Sequence, residues 1–102
     1  MYTLITGANS SSAYRLKNTL NTEHILLGDY MELPDILIQS GKVIRLPNPK
    51  SAAYAHEMLS LCLDMNIYTI YSLREEEKQL LLTTAQLFYE YGITIKVMDN
   101  EI

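Results

Sequence analysis

The sequence predicts a three-layer α/β domain built on a five-stranded parallel sheet with strand order 3-2-1-4-5. Three observations predict it. Short β-favouring runs alternate with stretches of helical period along the chain. The second such run, His24-Ile25-Leu26-Leu27-Gly28-Asp29, is almost continuously apolar, as strands covered on both faces are. The first run ends at Gly7 and is followed at once by small polar residues that can open a helix.

The elements follow in order. Tyr2-Thr3-Leu4-Ile5-Thr6 is strand one. Any of Asn9, Ser10, Ser11 and Ser12 can cap the helix that follows, in which Ala13, Leu16 and Leu20 recur three and four apart; Asn21 is its stop. His24–Asp29 is strand two. Pro34-Asp35 opens a short helix that reaches about Ser40 and stops at Gly41. Lys42-Val43-Ile44-Arg45-Leu46 is strand three, and Pro47-Asn48-Pro49 forbids a helix directly after it. Ser51 to Met65 is amphipathic, with Ala55, Met58, Leu59, Cys62 and Met65 as its apolar stripe and Asn66 as its stop. Ile67-Tyr68-Thr69-Ile70-Tyr71 is strand four. Ser72 and Glu75 then form a Ser-x-x-Glu capping box for a helix that runs to about Tyr91, with Leu81, Ala85 and Phe88 on one face. Gly92 ends it, and Ile93 to Met98 is strand five.

Alternation of this kind implies right-handed crossovers and a Rossmann-like arrangement. In the order 3-2-1-4-5 the winding reverses between strands one and four, and ligands of open α/β sheets bind in the crevice at that point. Its lips are the Gly7–Ser12 and Ser72–Glu76 loops. The candidate ligand-binding residues are therefore Gly7, Ala8, Asn9 and Ser10 on one lip, Asp29 at the end of strand two, and Ser72, Arg74 and Glu76 on the other.

Two readings of the first lip stand side by side. A helix N-terminus after a strand favours anions, as in a phosphate loop. The dinucleotide pattern G-x-G-x-x-G is incomplete, however, because Asn9 and Ser12 stand at the second and third glycine positions. The other reading is a strand-to-helix turn with a serine cap. Asp29 lies where an acidic residue binds a ribose hydroxyl in dinucleotide proteins; without the glycines, local backbone hydrogen bonding is the better account of it. In the triplet Glu75-Glu76-Glu77 the helix dipole explains Glu75 and Glu77, while Glu76 can face the crevice.

Composition narrows the function classes. The chain has 102 residues, enough for one domain with one core, and a net charge of −4 with no basic run, which argues against nucleic-acid binding. No apolar run is long enough to span a bilayer and the N-terminus lacks signal-peptide character, so a cytoplasmic location is expected. The single Cys62 fits a reducing compartment and, on an apolar stripe, reads as buried and inert. His24 and His56 have no partners at metal-ligand spacing. No Gly-x-Ser-x-Gly elbow frames the serines, and no P-loop lysine follows Gly7. The eight tyrosines are notable, since exposed tyrosines often mark interfaces.

The series Thr6-Gly7-Ala8-Asn9 after strand one, Gly28-Asp29 ending strand two, Val43-Ile44-Arg45-Leu46-Pro47, then Glu76 and a closing Met98-Asp99 resembles a known family. It is similar to the N-terminal pre-ATP-grasp domain of carbamoyl-phosphate-synthase-like ATP-grasp proteins. The resemblance covers essentially the whole chain. It implies a Rossmann-like domain without a working phosphate loop, which packs on an ATP-grasp domain and helps form the acceptor-substrate side of its active site. Gly7, Ala8 and Asn9 would line that crevice, Asp29 would match the acidic end of strand two, and Glu76 would match the glutamate opening the helix after strand four. The chain itself would hold no cofactor; ATP and magnesium would be bound by an ATP-grasp domain beyond Ile102 or in another chain. One departure is the lip of strand four, where relatives have a proline and an aspartate and this chain has Tyr71 and Arg74. The expected function is thus a non-catalytic substrate-side or scaffolding module of an ATP-dependent ligase, partnered by an ATP-grasp domain or a second copy of itself.

Two alternatives belong to other classes. The opening Thr6-Gly7-Ala8-Asn9 also resembles short-chain dehydrogenases, which would imply a nucleotide-binding oxidoreductase domain. Their Tyr-x-x-x-Lys pair is missing, since Asn18 follows Tyr14 at that spacing. The third is a stand-alone protein-interaction domain that kept the fold and lost the ligand.

Overall fold

A computed structural model describes residues 2–8, 11–20, 24–30, 35–39 and 43–97. Strands β1 (Tyr2–Thr6), β2 (Ile25–Asp29), β3 (Val43–Arg45), β4 (Ile67–Ser72) and β5 (Thr94–Val97) form one sheet in the order β3-β2-β1-β4-β5. Every neighbouring pair is parallel. The helices are α1 (Ser11–Leu20), α2 (Asp35–Gln39), α3 (Tyr54–Met65), α4 (Glu75–Thr83) and α5 (Ala85–Glu90). The α/β class and the strand order are as the sequence predicts.

The core lies in two layers, as alternation along each strand requires. Leu4, Leu26 and Ile70 point to one side and meet Tyr54, Met58, Leu59 and Cys62 of α3, together with Leu81 and Phe88. Ile5 and Leu27 point to the other side and meet Ala13 and Leu16 of α1. Burying such side chains contributes roughly 1.5–3 kcal/mol each, so the first and larger layer dominates the stability.

Two glycines are fixed by geometry. Gly7 turns the chain out of β1 at φ 75°, a left-handed backbone that side-chain-bearing residues rarely adopt. Gly28 lets Leu46 lie against β2: a Cβ there would meet Leu46 carbons at 2.8 Å. Asn66 ends α3 in the left-handed region (φ 62°), donating its backbone N–H to the Cys62 carbonyl.

Three expectations about the helices are corrected. No capping box forms: β4 runs one residue further than expected, pairing Ser72 with Val97, and the N-cap position of α4 falls on Arg74, whose side chain makes no cap hydrogen bond. Glu75 consequently points forward to Lys78, 3.0 Å away. The expected helix to Tyr91 is broken at Thr84. The hydroxyls of Thr83 and Thr84 reach back to the carbonyls of Gln79 and Leu80, an interaction that bends helices, and α5 starts afresh. On α3 the buried stripe is Tyr54, Met58, Leu59 and Cys62, while Met65 is exposed and Ala55 half-buried. Met58, Leu59 and Cys62 are common to both stripes, and Tyr54, one turn before Met58, takes the place expected of Ala55. The expected stops at Asn21 and Gly41 and the closing Met98-Asp99 lie outside the described residues. Among those residues no helix is long and apolar enough to cross a membrane.

Candidate functional site

The winding reverses between β1 and β4, so the carboxyl ends of these strands frame the candidate crevice. The two lips are tied together at its base. Leu73 donates its backbone N–H to the Thr6 hydroxyl at 3.0 Å, and Ala8 donates to the Gly28 carbonyl at 3.0 Å. Gly7 and Ala8 are buried, and Asn9 and Ser10 lie outside the described residues.

Above this base sits an ion pair that spans three strands. Arg74 reaches from the start of α4 across β1 to Asp29 at the end of β2. Its Nη2 donates to Oδ2 at 2.6 Å and its Nε to Oδ1 at 3.3 Å, a two-pronged contact. The Asp29 side chain is wholly buried, whereas that of Arg74 is 24% exposed. The Tyr30 ring lies 5.8 Å from the guanidinium carbon and adds a cation–π contact. The hydrogen bonds that Arg74 donates to the Asp29 carboxylate raise its pKa beyond its already high value. Glu76 is exposed at the rim and adds slightly to that effect.

Behind the ion pair is a buried acid. Glu77 has no exposed surface; the Tyr54 hydroxyl donates to its Oε2 at 2.8 Å. Burial and then the charge of Asp29 push its pKa up from 4.5 to about 7. Tyr54 and Arg74 work in the opposite direction. The Thr6 hydroxyl also approaches and favours the ion, yet no described group makes a full hydrogen bond to Oε1. Ser72 is likewise buried, with no partner for its hydroxyl among the described residues. Burial and the Glu77 carboxylate raise the Tyr54 phenol far above its ordinary value. Burial pushes the Cys62 thiol up to about 12, which keeps it a thiol at neutral pH.

The structure therefore joins Asp29 to Arg74 and leaves Glu76 in solvent. Glu77 stands in the first turn of α4 as expected, and the structure adds that it is buried there as the partner of Tyr54. Sequence reasoning missed Tyr54, Glu77 and Thr6 as members of the site. A signal for Glu77 was present, because it precedes Leu81 by four residues and so extends the apolar face of that helix by one turn.

The chemistry available follows from these partners. Both oxygens of Asp29 are held by Arg74, so the position at which a ribose hydroxyl would bind is filled from inside the protein. Among the described residues no three His, Cys, Asp or Glu side chains are placed to hold a metal ion. A second concavity of about 610 Å³ lies between the end of β3 and α3. Glu57, Ser60, Leu61 and Asp64 form its helical wall at i, i+3, i+4 and i+7, facing Arg45, Leu46 and Pro47. Its charges are of both signs and select no ligand class.

No family model and no curated protein matches the chain. The functional reading therefore rests on the fold, the site and the resemblance drawn from the sequence.

Proposed function

We propose that the domain is a non-catalytic, substrate-side or scaffolding module that docks at its strand-end rim against the ATP-grasp domain of an ATP-dependent ligase. The observation that carries this reading is the Arg74–Asp29 pair. In a dinucleotide-binding domain the carboxylate ending β2 stays available to a ribose. Here it is buried and held by a guanidinium from the opposite lip. The rim it braces is Gly7-Ala8, Asp29-Tyr30 and Leu73-Arg74, a set of strand ends tied to one another and suited to presenting a fixed surface. ATP and magnesium belong, in this reading, to the partner domain.

Two titrations followed by amide NMR test the reading. Adding NAD, NADP or ATP to the labelled chain is expected to leave the Gly7–Ala8, Asp29 and Leu73–Glu76 signals in place. Adding the ATP-grasp domain encoded with or beside this chain is expected to shift those signals as a group. Saturable NAD binding at micromolar concentration would replace this reading with the oxidoreductase one. Silence of the rim toward the ATP-grasp domain would remove the ligase assignment.

A further inference from the structure

All-parallel sheets are as a rule covered on both faces. In this domain two of the five strands have one face with no described helix over it. Helices α3, α4 and α5 cover one face. On the other face, α1 and α2 cover the β1, β2 and β3 side, where Ile5, Leu27 and Val43 are buried. Among the described residues the β4–β5 half of that second face is bare. Its side chains are Thr69 and Tyr71, half-buried, and Thr94 and Lys96, exposed. Register sets them in two rows, Thr69 beside Thr94 and Tyr71 beside Lys96. Lys96 lies over the Tyr71 ring, with its Nζ 5.3 Å from the ring centre and 3.4 Å from the hydroxyl to which it donates.

Charge is divided between the two helical layers. The α3, α4 and α5 segments carry five exposed carboxylates (Glu57, Asp64, Glu75, Glu76 and Glu90), Glu77 being buried, against one lysine, Lys78. On the other side α1 carries Arg15 and Lys17 and α2 the single acid Asp35, and the bare strip beside α1 adds Lys96. The acidic layer also presents large apolar groups to water: Leu82 is 51% and Tyr89 69% exposed, the latter next to the exposed Glu90. One surface of the molecule thus has a cationic, aromatic seat of helix width. The opposite surface has an aliphatic group from α4 and an aromatic group from α5, with the exposed Glu90 beside it, to place in that seat.

We infer that the bare β4–β5 strip receives the α4–α5 surface of a second copy of this chain in a head-to-tail contact, with Glu90 of one copy near Lys96 of the next. The contact is heterologous, because the two surfaces differ. The strip is two short strands wide, so the contact buries well under the roughly 800 Å² per partner of a stable complex and is transient. It lies on a different surface from the strand-end rim, and so stands whether or not the rim meets a ligase.

Sedimentation velocity between ~10 µM and ~1 mM tests it, with charge reversal as the discriminating step. The native chain is expected to associate as concentration rises, and added salt to weaken that association. Lys96→Glu and Glu90→Lys are each expected to weaken association at least fivefold. A 1:1 mixture of the two variants is expected to associate again, since each supplies the charge the other lacks. Circular dichroism of each variant checks that the fold is kept, both positions being exposed. A monomer at every concentration overturns the proposal. So does association that both reversals leave unchanged, or a mixture that associates no better than the separate variants.

Discussion

Glu77→Gln is the most informative single change. The carboxyl is buried and its pKa rises from 4.5 in the open chain to about 7 in the fold. Between those values the folded state holds a proton that the unfolded state has released, so stability falls as pH rises through this window. It is fully present below 4.5 and has lost this contribution above about 7. A difference of this size corresponds to about 3 kcal/mol at 1.36 kcal/mol per pH unit. Glutamine keeps an oxygen to accept the Tyr54 hydroxyl and has no charge to bury. The assay is urea unfolding at pH 5, 6, 7 and 8 for the native chain and the variant. The native midpoint is expected to fall with pH, while the variant stays nearly flat, its advantage over the native chain growing by about 2–3 kcal/mol between pH 5 and pH 8. Tyr54→Phe provides a second check. It removes a hydrogen bond that favours the ion, so the pH window should extend upward. A native stability that is flat from pH 5 to 8, or a glutamine variant weaker than the native chain at pH 8, would refute the assignment of a buried, protonatable acid.

Three further predictions concern the same end of the sheet. Arg74→Ala strands the buried Asp29 carboxylate and is expected to cost on the order of 3–5 kcal/mol in chemical unfolding, with Asp29→Asn added to it recovering part of the loss. Gly28→Ala places a Cβ 2.8 Å from Leu46 and should cost about 1–3 kcal/mol; trimming the neighbour as Leu46→Ala should make the two changes less than additive in a double-mutant cycle. Ser72→Ala removes a buried hydroxyl that has no described partner, so thermal unfolding should show no loss, or a gain of about 1 kcal/mol.

The sequence made the strands and their order legible because the chemistry that specifies them is local. Strand runs, glycine stops and the long crossovers leave few arrangements open, and Gly7, Gly28 and Asn66 each mark a backbone event within a few residues. The ends of α4 were not legible for a related reason. Ser72 and Glu75 satisfy the capping pattern, but pairing of Ser72 with Val97, which is distant in sequence, holds it in the sheet. The site was legible as a place and less so as a set of partners. Asp29 and Arg74 were both candidates, but their contact joins residues 45 positions apart. The Tyr54–Glu77 pair was passed over, although Glu77 stands one turn before Leu81, because an acid in a helix's first turn is ordinarily a surface group. Only packing of α3 against α4 turns it inward.

The tie between Thr6 and Leu73 has a kinetic consequence. With the Arg74–Asp29 pair above it, it fastens the ends of β1, β2 and β4 into one rim. Such a rim cannot open on one side without breaking a buried bond. A partner approaching it therefore meets a finished shape, and the encounter is governed by diffusion and orientation rather than by waiting for a rare open state. Association at this rim should follow a single exponential whose rate stays proportional to partner concentration.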